Sequence, residues 1–399
     1  MGRLLNRITR DNKYAGYAVV TDGLWRKSVS VVRALGKAGY HVAVMGDTYA
    51  TTGFWSRYTA SRHVCSSASD DADAFGRGLL ELLRRYDIKP VLFPMEDASI
   101  VWCSAHREEI LPLADMLLPP DDSLASAENK ADTIRLATRL GIPCPRTYFA
   151  HNHEEAEHFA GLFVRRSFVV KPFHGSGAVG VKYLNSEDKI NWNTYFAAYG
   201  PCLIQERIPE SGEALGVSVL MDACGHLAAV FTHKRTEQYP NSGGASTQRI
   251  SIRNDEVVCQ SVKLLESLDW RGVAMVEWKK EPISGNYLLM EINPRFWGSL
   301  ELAVRSGVNF PLLYARAAQN LDTEPMSKYE TAVRCRWLLP GDILRYITKK
   351  DRESLRTFMR GILCESEEWD FSDKRIFLFS ILCHAYLALN PKYWKFLRR

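Results

Sequence analysis

Near the N-terminus, short apolar runs alternate with segments of helical periodicity. Residues 17–21 (YAVVT) and 40–45 (YHVAVM) predict two strands, and residues 28–38 between them have the spacing of a helix. A further helical segment, 75–86, precedes a third apolar run at 90–94 (PVLFP). Strands and helices that alternate in this way form a parallel sheet, because each helix carries the chain back to the edge where the next strand begins.

This pattern predicts a Rossmann-like domain at about residues 15–125. No G-x-G-x-x-G sequence follows its first strand, so we do not expect it to bind a dinucleotide. A second unit begins near Ser126 with a predicted helix at 129–140, and strand-like runs dominate from residue 203 onward. One long helix is predicted at 302–320.

The composition is that of an ordinary globular protein, with 46% hydrophobic and 24% charged residues. The formal net charge of +5 is too small to predict nucleic-acid binding, which needs a concentrated basic face. The nine cysteines contain no C-x-x-C pair, so neither a disulfide framework nor a zinc site is expected, and a reducing cytoplasm is the expected compartment. Neither a signal peptide nor an apolar run that could span a bilayer is predicted.

A glycine-rich segment follows a predicted strand at residues 168–171. Residues 169–181 read VVKPFHGSGAVGV, in which Lys171 ends the strand and three glycines follow it. Such a loop can bring backbone amide groups close to phosphate oxygens, while the lysine neutralises part of their charge. Taken alone, the segment is better explained as a flexible hairpin beside a surface lysine.

A predicted hairpin carries Glu277 on its first strand, and Glu291 and Asn293 on its second. Side chains alternate along a strand, so Glu291 and Asn293 share one face, and Glu277 can lie opposite them. Two carboxylates and an amide oxygen form a hard oxygen site suited to Mg²⁺ with phosphate oxygens. Arg295 would add a positive fork for a transferred phosphoryl group. A solvated strand with a hydrogen-bonded asparagine is the alternative.

Residues 203–213 (LIQERIPESGE) form a third element, an apolar strand that ends in polar residues. Gln205 and Glu206 can present a backbone edge and a carboxylate to a purine, and Glu213 can accept hydrogen bonds from ribose hydroxyls. By itself, the segment is also a common amphipathic strand with a polar turn.

In this order and spacing, the three elements resemble the ATP-grasp superfamily, over about residues 15–320. The motifs that carry the resemblance are GIPCP, VVKP with its glycine-rich loop, IQERI and EINPR. Four further segments resemble the stand-alone carboxylate–amine ligases, a branch that includes D-aspartate ligase and is related to the carbamoyl-phosphate synthase large chain and biotin carboxylase. These are SRYTASRHV at 56–64, SGGASTQRIS at 242–251, EINPRFWGS at 291–299 and SGVNFP at 306–311.

The resemblance implies a fold of the mixed α/β and α+β class, built from a Rossmann-like pre-ATP-grasp domain and a two-lobed ATP-grasp fold. The first domain spans 15–125, the small lobe with its glycine-rich lid 126–202, and the large lobe with the Mg-ATP site 203–324. Residues 325–399 are expected to form a basic, partly apolar, helical C-terminal extension.

The resemblance also implies a role for each motif residue. Those that contact the nucleotide phosphates or form the lid over them are Lys130, Lys171, Gly175, Ser176 and Gly177. Those that border adenine and ribose are Gln205, Glu206, Ile208 through its backbone, and Glu213. Those that bind two Mg²⁺ ions, for which Mn²⁺ can substitute, are Glu277, Glu291 and Asn293. The catalytic residues are Arg295, Lys171 and Arg249; Arg249 would face the γ-phosphate or the substrate carboxylate, and a surface arginine is an equal alternative.

The reaction that the resemblance implies has two steps. A carboxylate oxygen attacks the γ-phosphorus of ATP to give an acyl phosphate and ADP, and an amine then displaces phosphate to form an amide. The expected partners are a small carboxylate and an amine, such as an amino acid or a cell-envelope precursor, with no nucleic acid and with a homodimer as the expected assembly. A carboxylase or carbamoyl-type enzyme that uses bicarbonate, and a non-catalytic ATP-binding module, are the alternatives.

Glu96 and Asp97 follow the third predicted strand, where an α/β sheet exposes its carboxyl edge. They are expected either to bind an amino group of the substrate or to favour the dipole of a helix that begins there. The sequence alone does not separate these two roles.

Residues 376–389 (IFLFSILCHAYLAL) form an apolar run with basic and aromatic residues on both sides. Such flanks suit a helix at a membrane surface, so peripheral membrane contact by a cytoplasmic protein is one hypothesis. The run is short for a helix that spans a bilayer, and a helix that packs on the core or on a second subunit is the favoured explanation.

Overall fold

The structure is a computed structural model that describes residues 8, 13–164, 166–175, 179–209, 212–240, 244–321, 324–349, 352–359 and 365–390. The described strands form three sheets. Two predicted lid residues, Ser176 and Gly177, and the basic, aromatic residues after 390 lie outside the described residues.

The first sheet is parallel, with strand order β3-β2-β1-β4, as the alternating pattern predicts. Its strand β1 has both faces covered, because Val19 enters one hydrophobic core while Ala18 and Val20 enter another. The Rossmann-like prediction is therefore confirmed, although β3, whose side chains alternate between half-buried and exposed, was not predicted as a strand. The elements of this part are β1 (Gly16–Val20), α1 (Arg26–Lys37), β2 (Tyr40–Gly46), a 3-10 helix (Thr52–Trp55), β3 (Thr59–Val64), α2 (Ala72–Leu83), β4 (Val91–Phe93), α3 (Asp97–Ala105), α4 (Arg107–Ile110) and α5 (Asp121–Glu128).

The second sheet is antiparallel, with strand order β5-β8-β6-β7. Its elements are α6 (Lys130–Arg139), β5 (Thr147–Ala150), α7 (His153–Gly161), β6 (Phe168–Pro172), β7 (Lys182–Leu184), α8 (Trp192–Tyr199) and β8 (Cys202–Glu206). Phe168 and Val170 on β6 are buried in the core of this unit, which leaves Lys171 on the opposite face of the strand. Strand β8 belongs to this sheet, so the sheet continues past residue 202, where the sequence analysis ends the small lobe.

The third sheet is antiparallel, with strand order β13-β12-β9-β10-β11-β14. The predicted hairpin is present as β12 and β13, but the predicted single helix at 302–320 is wrong. It is divided into α10 and α11, because Gly307 takes a φ of 101° and Asn309 caps a new helix by accepting the amide N–H of Leu312 at 3.2 Å. The elements are β9 (Ala214–Met221), β10 (Leu227–Tyr239), β11 (Ala245–Ile252), α9 (Asp255–Glu266), β12 (Gly272–Lys280), β13 (Tyr287–Asn293), α10 (Leu300–Arg305) and α11 (Phe310–Ala318).

The C-terminal extension is not wholly helical, because its first element is an edge strand that pairs with β11. Its described elements are β14 (Arg334–Arg336), a short π-helix (Leu338–Asp342), α12 (Ile343–Lys349), α13 (Arg352–Met359) and α14 (Lys374–Leu389). Helix α14 returns to the N-terminal part of the chain, where Phe379 stacks on Trp55 with ring centroids 4.0 Å apart. The helix therefore packs on the core, as the favoured explanation holds.

Helix α14 is apolar on two sides. Its inner face is buried, whereas Leu378, Leu382 and Leu389 on its outer face are 57%, 55% and 85% exposed. Among the described residues, no helix combines the length and the hydropathy that a membrane-spanning segment needs.

Candidate active site

One cavity of about 480 Å³ is lined by residues from both antiparallel sheets, from helices and loops beside the parallel sheet, and from the C-terminal extension. It brings together many of the residues that the sequence analysis selected from separate motifs. These are Lys130, Lys171, Gly175, Glu277, Glu291, Asn293 and Arg295. Glu96, at the carboxyl edge of the parallel sheet, also lines the cavity, which agrees with the position where open α/β sheets bind ligands.

The two glutamates of the predicted metal site lie directly opposite each other, because Glu277 on β12 pairs in register with Glu291 on β13. Asn293 donates from Nδ2 to Oε1 of Glu277 at 3.1 Å, and Arg235 Nη2 lies 3.3 Å from Oε2 of Glu277. Burial raises the pKa of Glu277, and the negative charge of Glu291 raises it further, against the lowering effect of Arg235.

This arrangement fits a divalent cation. Two carboxylates in direct cross-strand register repel each other, and a bound cation would relieve that repulsion. Because the Asn293 amide nitrogen donates to Glu277, its amide oxygen is the atom left for a cation. The donor set is all oxygen, which is the preference of Mg²⁺ and Mn²⁺.

Two lysines approach the cavity from neighbouring elements of the small lobe. Lys130 is the first residue of α6, and Asn129 caps that helix by accepting the amide N–H groups of Ala131 and Asp132. The Nζ of Lys130 contacts the carbonyl oxygen of Gly175, which has a φ of 116° that favours glycine. Lys171 Nζ donates to Gln205 Oε1 at 2.8 Å. The two cations thus lie beside the glycine-rich segment, as phosphate binding requires.

The resemblance implies that this cavity binds ATP, and on that basis we expect the affinity for ATP to fall as the pH rises through 8. Burial lowers the pKa of Lys171 to about 8, and the positive charge of Lys130 lowers it further, against the raising effect of Glu291. The lysine is charged below that pH and loses its charge above it, so the dissociation constant of Mg-ATP should rise roughly tenfold between pH 7 and pH 9. Isothermal titration calorimetry would measure it.

The control for this prediction is Lys171→Arg, because a guanidinium stays protonated over the same range. The variant should bind Mg-ATP with nearly the same affinity at both pH values. An equal pH dependence in the variant would assign the titration to another group.

Arg295 is held in place by the first residue of α3, because its Nε donates to Asp97 Oδ1 at 2.6 Å. Glu96 is paired in the same way, with Lys27 Nζ at 2.5 Å from Oε1. Both carboxylates that were predicted to meet an amino group or a helix dipole therefore already have cationic partners. Asp97 is also in the first turn of α3, so the helix-dipole explanation agrees with its position.

The predicted adenine and ribose residues lie at the edge of the site and do not line the cavity. Gln205 is 1% exposed and bridges Lys171 and Thr147, and Ile208 is 4% exposed. Glu213 accepts from Lys234 Nζ at 2.6 Å and from the Tyr287 hydroxyl at 2.9 Å, and these bonds lower its pKa. The remaining member, Glu206, is half-buried, with Arg166 Nη1 at 3.9 Å.

Arg249 does not line the cavity, and the surface alternative is also wrong because the side chain is fully buried. It pairs in register with Arg235 on β10, so both side chains leave the same face of the sheet. Arg235 reaches Glu277 in the cavity. Arg249 instead contacts the carboxylate of Glu367 and donates from Nη1 to the Ser246 carbonyl oxygen at 3.0 Å, because the C-terminal extension covers this part of the face. We therefore do not retain Arg249 as a catalytic residue.

Replacing Glu367 should destabilise the fold. Its carboxylate is the buried counter-ion of Arg249, and it also lies 2.9 Å from Arg26 Nη1. Glu367→Ala would remove the carboxylate that contacts the fully buried Arg249, so the free energy of unfolding should fall by about 3 to 5 kcal/mol. Urea denaturation followed by circular dichroism would measure it. A matched control is Glu266→Ala, at an exposed position of α9, and equal stability losses in the two variants would contradict this role of Glu367.

Arg235 is the site residue that the sequence analysis missed. It ends a basic triplet, His233-Lys234-Arg235, that follows the buried apolar part of β10. A basic residue at the end of a buried strand is a signal that could have found it, but only the pairing of β10 with β9 and of β9 with β12 brings it near Glu277.

Comparison with known proteins identifies this arrangement, a parallel sheet followed by two antiparallel sheets, as the ATP-grasp fold. The resemblance to the ATP-grasp superfamily is thus confirmed for the fold. Residues 202–339 match the profile of a family described as ATP-grasp in the biosynthetic pathway with Ter operon. The matched segment contains Glu277, Glu291, Asn293 and Arg295.

Solved structures with the same fold include three enzymes. N5-carboxyaminoimidazole synthetase from Staphylococcus aureus is 13% identical, with a TM-score of 0.64 over 86% of this chain and 87% of that chain. Biotin carboxylase from Campylobacter jejuni, in a complex with a β,γ-ATP ligand, is 10% identical, with a TM-score of 0.64 over 79% and 74%. The biotin carboxylase domain dimer of Hydrogenobacter thermophilus 2-oxoglutarate carboxylase, with MgADP and bicarbonate, is 14% identical, with a TM-score of 0.64 over 79% and 73%. At these identities the likeness establishes the fold alone.

Proposed function

We propose that this protein is an ATP-dependent, ADP-forming ligase that activates a carboxylate as an acyl phosphate and couples it to an amine to form an amide or peptide bond. The observation that carries the proposal is the convergence of Glu277, Glu291, Asn293, Arg295 and Lys171 in one cavity of an ATP-grasp fold. These residues supply cation ligands and fixed positive charges, which are the groups that phosphoryl transfer needs.

The nucleotide lies between the small and large lobes in this proposal. Lys130 and Lys171 bind its phosphates, and the segment from Gly175 through residues 176 and 177 covers them. Gln205, Glu206, Ile208 and Glu213 border the adenosine. Two Mg²⁺ ions, or Mn²⁺, bound by Glu277, Glu291 and Asn293, would offset the phosphate charge and orient the γ-phosphate.

The protein performs little covalent chemistry in the first step. The acid places one carboxylate oxygen in line with the γ-phosphorus, a new P–O bond forms, and the bond to the ADP oxygen breaks. Arg295, fixed by Asp97, donates to the oxygens that carry charge in the transition state, and a group that is already in position costs no reorganisation.

The second step joins the two substrates. The neutral amine attacks the acyl carbon, the bond from that carbon to the phosphate oxygen breaks, and the proton lost by the amine passes to the departing phosphate as the amide forms. Water must be kept out meanwhile because an acyl phosphate hydrolyses, and closure of the glycine-rich segment serves that purpose in this proposal.

A carboxylase or carbamoyl-type reaction with bicarbonate is the second candidate. It is favoured by the fold-level likeness to N5-carboxyaminoimidazole synthetase and to a biotin carboxylase domain whose structure contains bicarbonate. The two candidates differ in the acid that triggers ADP release, so the same assay can separate them.

The test is nucleotide turnover by purified protein with Mg-ATP, a panel of amino acids and carboxylates, bicarbonate, and hydroxylamine as a trap. ADP release that depends on an organic acid, together with its hydroxamate, would support the proposal and identify the acid. ADP release with bicarbonate alone would support the second candidate. AMP release, or Mg-ATP binding without turnover under any condition, would overturn the proposal.

We further propose that the protein acts in the cytoplasm and contacts a membrane peripherally through the outer face of α14. The support is the exposure of Leu378, Leu382 and Leu389 beside two exposed cations, Lys374 and Arg375. Such contact would suit a lipid-linked substrate, such as a cell-envelope precursor.

Flotation should separate this membrane hypothesis from a helix that only packs on the core. We expect the protein to float with vesicles that contain anionic lipid, and Leu382→Ser with Leu378→Ser to abolish flotation, because the apolar contact is lost. As a matched control, the same change to serine at two other exposed apolar residues, Val101 and Val164, should leave flotation unchanged. Absence of flotation in the unaltered protein would end the hypothesis.

A further inference from the structure

The cavity extends from the predicted metal site to a wall that the C-terminal extension provides. We call this the extension wall, and define it as Leu339, Ile376, Ser380, His384 and Leu387. Four of these residues lie on α14, beyond the segment that matches the family profile, which ends at residue 339. The motifs of the sequence analysis therefore assign no role to this part of the cavity.

The wall is one face of a helix. Ile376, Ser380 and Leu387 follow the spacing of a helical face and are 1%, 1% and 2% exposed. His384 lies on the same face, and its Nδ1 donates to the Ser380 carbonyl oxygen at 2.7 Å, which leaves Nε2 as the ring atom that can meet a ligand. The wall is thus apolar, with one hydroxyl and one imidazole.

The charged groups next to the wall are paired among themselves. Arg26 Nη1 lies 2.9 Å from Glu367 Oε1, and its guanidinium carbon lies 4.2 Å from the centre of the Trp337 ring. Glu368 accepts the amide N–H of Leu339 at 3.0 Å. Since these charges have partners, the surface that remains for a ligand here is mainly hydrocarbon and aromatic, with Trp25 also on the cavity lining.

We propose that the carboxylic acid substrate carries an apolar body, and that this body lies against the extension wall while the carboxylate lies at Arg295. This inference rests on the proposed function and specifies its substrate class. The acid, rather than the amine, is the occupant because its acyl phosphate must be enclosed until the amine arrives, and an apolar wall excludes water. Bicarbonate has no body that could fill this space.

The experiment measures binding of three probes, acetate, hexanoate and 3-phenylpropionate, to the protein saturated with Mg²⁺ and a non-hydrolysable ATP analogue. Burial of methylene groups or of an aromatic ring favours binding, so hexanoate and 3-phenylpropionate should bind about tenfold or more tightly than acetate. Ser380→Trp fills the space beside the wall and should weaken their binding by about tenfold or more, while the affinity for the ATP analogue changes little.

The matched control is Ile381→Trp, which adds the same side chain at an exposed position of the same helix and should change neither affinity. If Ser380→Trp does not fold, as judged by its circular dichroism spectrum, the half-buried His384→Trp replaces it in the same test. Equal affinities for the three acids, or equal losses in the inner and outer variants, would overturn the inference.

A measurement of ADP formation distinguishes a failure of this inference from a failure of the proposed function. ADP formation with aspartate or acetate, without preferential binding of the apolar acids, would overturn the substrate class and leave the ligase proposal standing. Selective, Ser380-dependent binding of the apolar acids, without ADP formation from any acid, would support the apolar site and overturn the ligase proposal.

Discussion

Glu291→Gln is expected to reduce ADP formation by roughly a thousandfold or more, because the loss of a metal-binding carboxylate removes several kcal/mol of charge stabilisation in the transition state. Glutamine preserves the shape of the side chain and removes its charge. Glu291 lies in register with Glu277, so one carboxylate would remain where two are proposed to share the cations. A coupled ADP-release assay with varied Mg²⁺ would measure the rate and the metal dependence.

The matched control is Glu266→Gln, which makes the same chemical change at an exposed position of α9. Its rate and its Mg²⁺ dependence should equal those of the unaltered protein. Glu291→Gln should need a higher Mg²⁺ concentration for any residual activity. A variant with normal rate and normal metal dependence would remove Glu291 from the proposed metal site.

Arg295→Lys should lower kcat by about 10²- to 10³-fold, the usual effect of removing one preorganised donor to transition-state charge. A lysine keeps the charge but not the planar fork, so it cannot bind Asp97 and a phosphoryl group at once in the same geometry. The affinity for Mg-ATP should change much less than kcat, because the contact is proposed to strengthen only as charge develops.

Asp97→Asn tests whether Asp97, at the start of α3, positions Arg295. The guanidinium is retained, but the charged partner of its Nε is lost, so we expect a smaller fall in kcat, about tenfold, with KM for ATP nearly unchanged. The control for both variants is Arg139→Lys, at an exposed position of α6, which should have no effect on kcat or on KM.

For Arg295→Lys, a large fall in Mg-ATP affinity without a change in kcat would assign Arg295 to ground-state binding instead.

Much of the candidate site could be predicted because its residues lie in short segments of regular structure. Glu291 and Asn293 share a face through the alternation of β13, and the short turn between β12 and β13 places Glu277 opposite Glu291. Lys130 follows a capping asparagine, and Lys171 ends a strand whose other face is buried. In each case, the residues that determine the position of the side chain are a few residues away in the chain or lie on the next strand of a hairpin.

Arg249 shows where sequence reasoning failed. Arg249 lies on the same face of the large sheet as Arg235, its register partner, and Arg235 does reach Glu277 in the cavity. What excludes Arg249 is Glu367, which is 118 residues further along the chain. No periodicity or capping pattern encodes such a contact, because it depends on how the extension packs on the large sheet.

The parallel N-terminal sheet, the hairpin with its paired carboxylates and the ATP-grasp resemblance could be read from the sequence, although β3, the break between α10 and α11, and β14 could not. The features that could be read depend on hydrophobic periodicity, on glycine and asparagine at turns and caps, and on motif spacing, all of which act over short stretches of chain. Three features of the cavity depend instead on how distant segments pack: Asp97 anchors Arg295, Arg235 rather than Arg249 enters the cavity, and α14 forms its far wall. Buried charges need ionic partners and apolar faces need to be buried, and the residues that meet these needs come from distant segments that meet only when the whole chain packs.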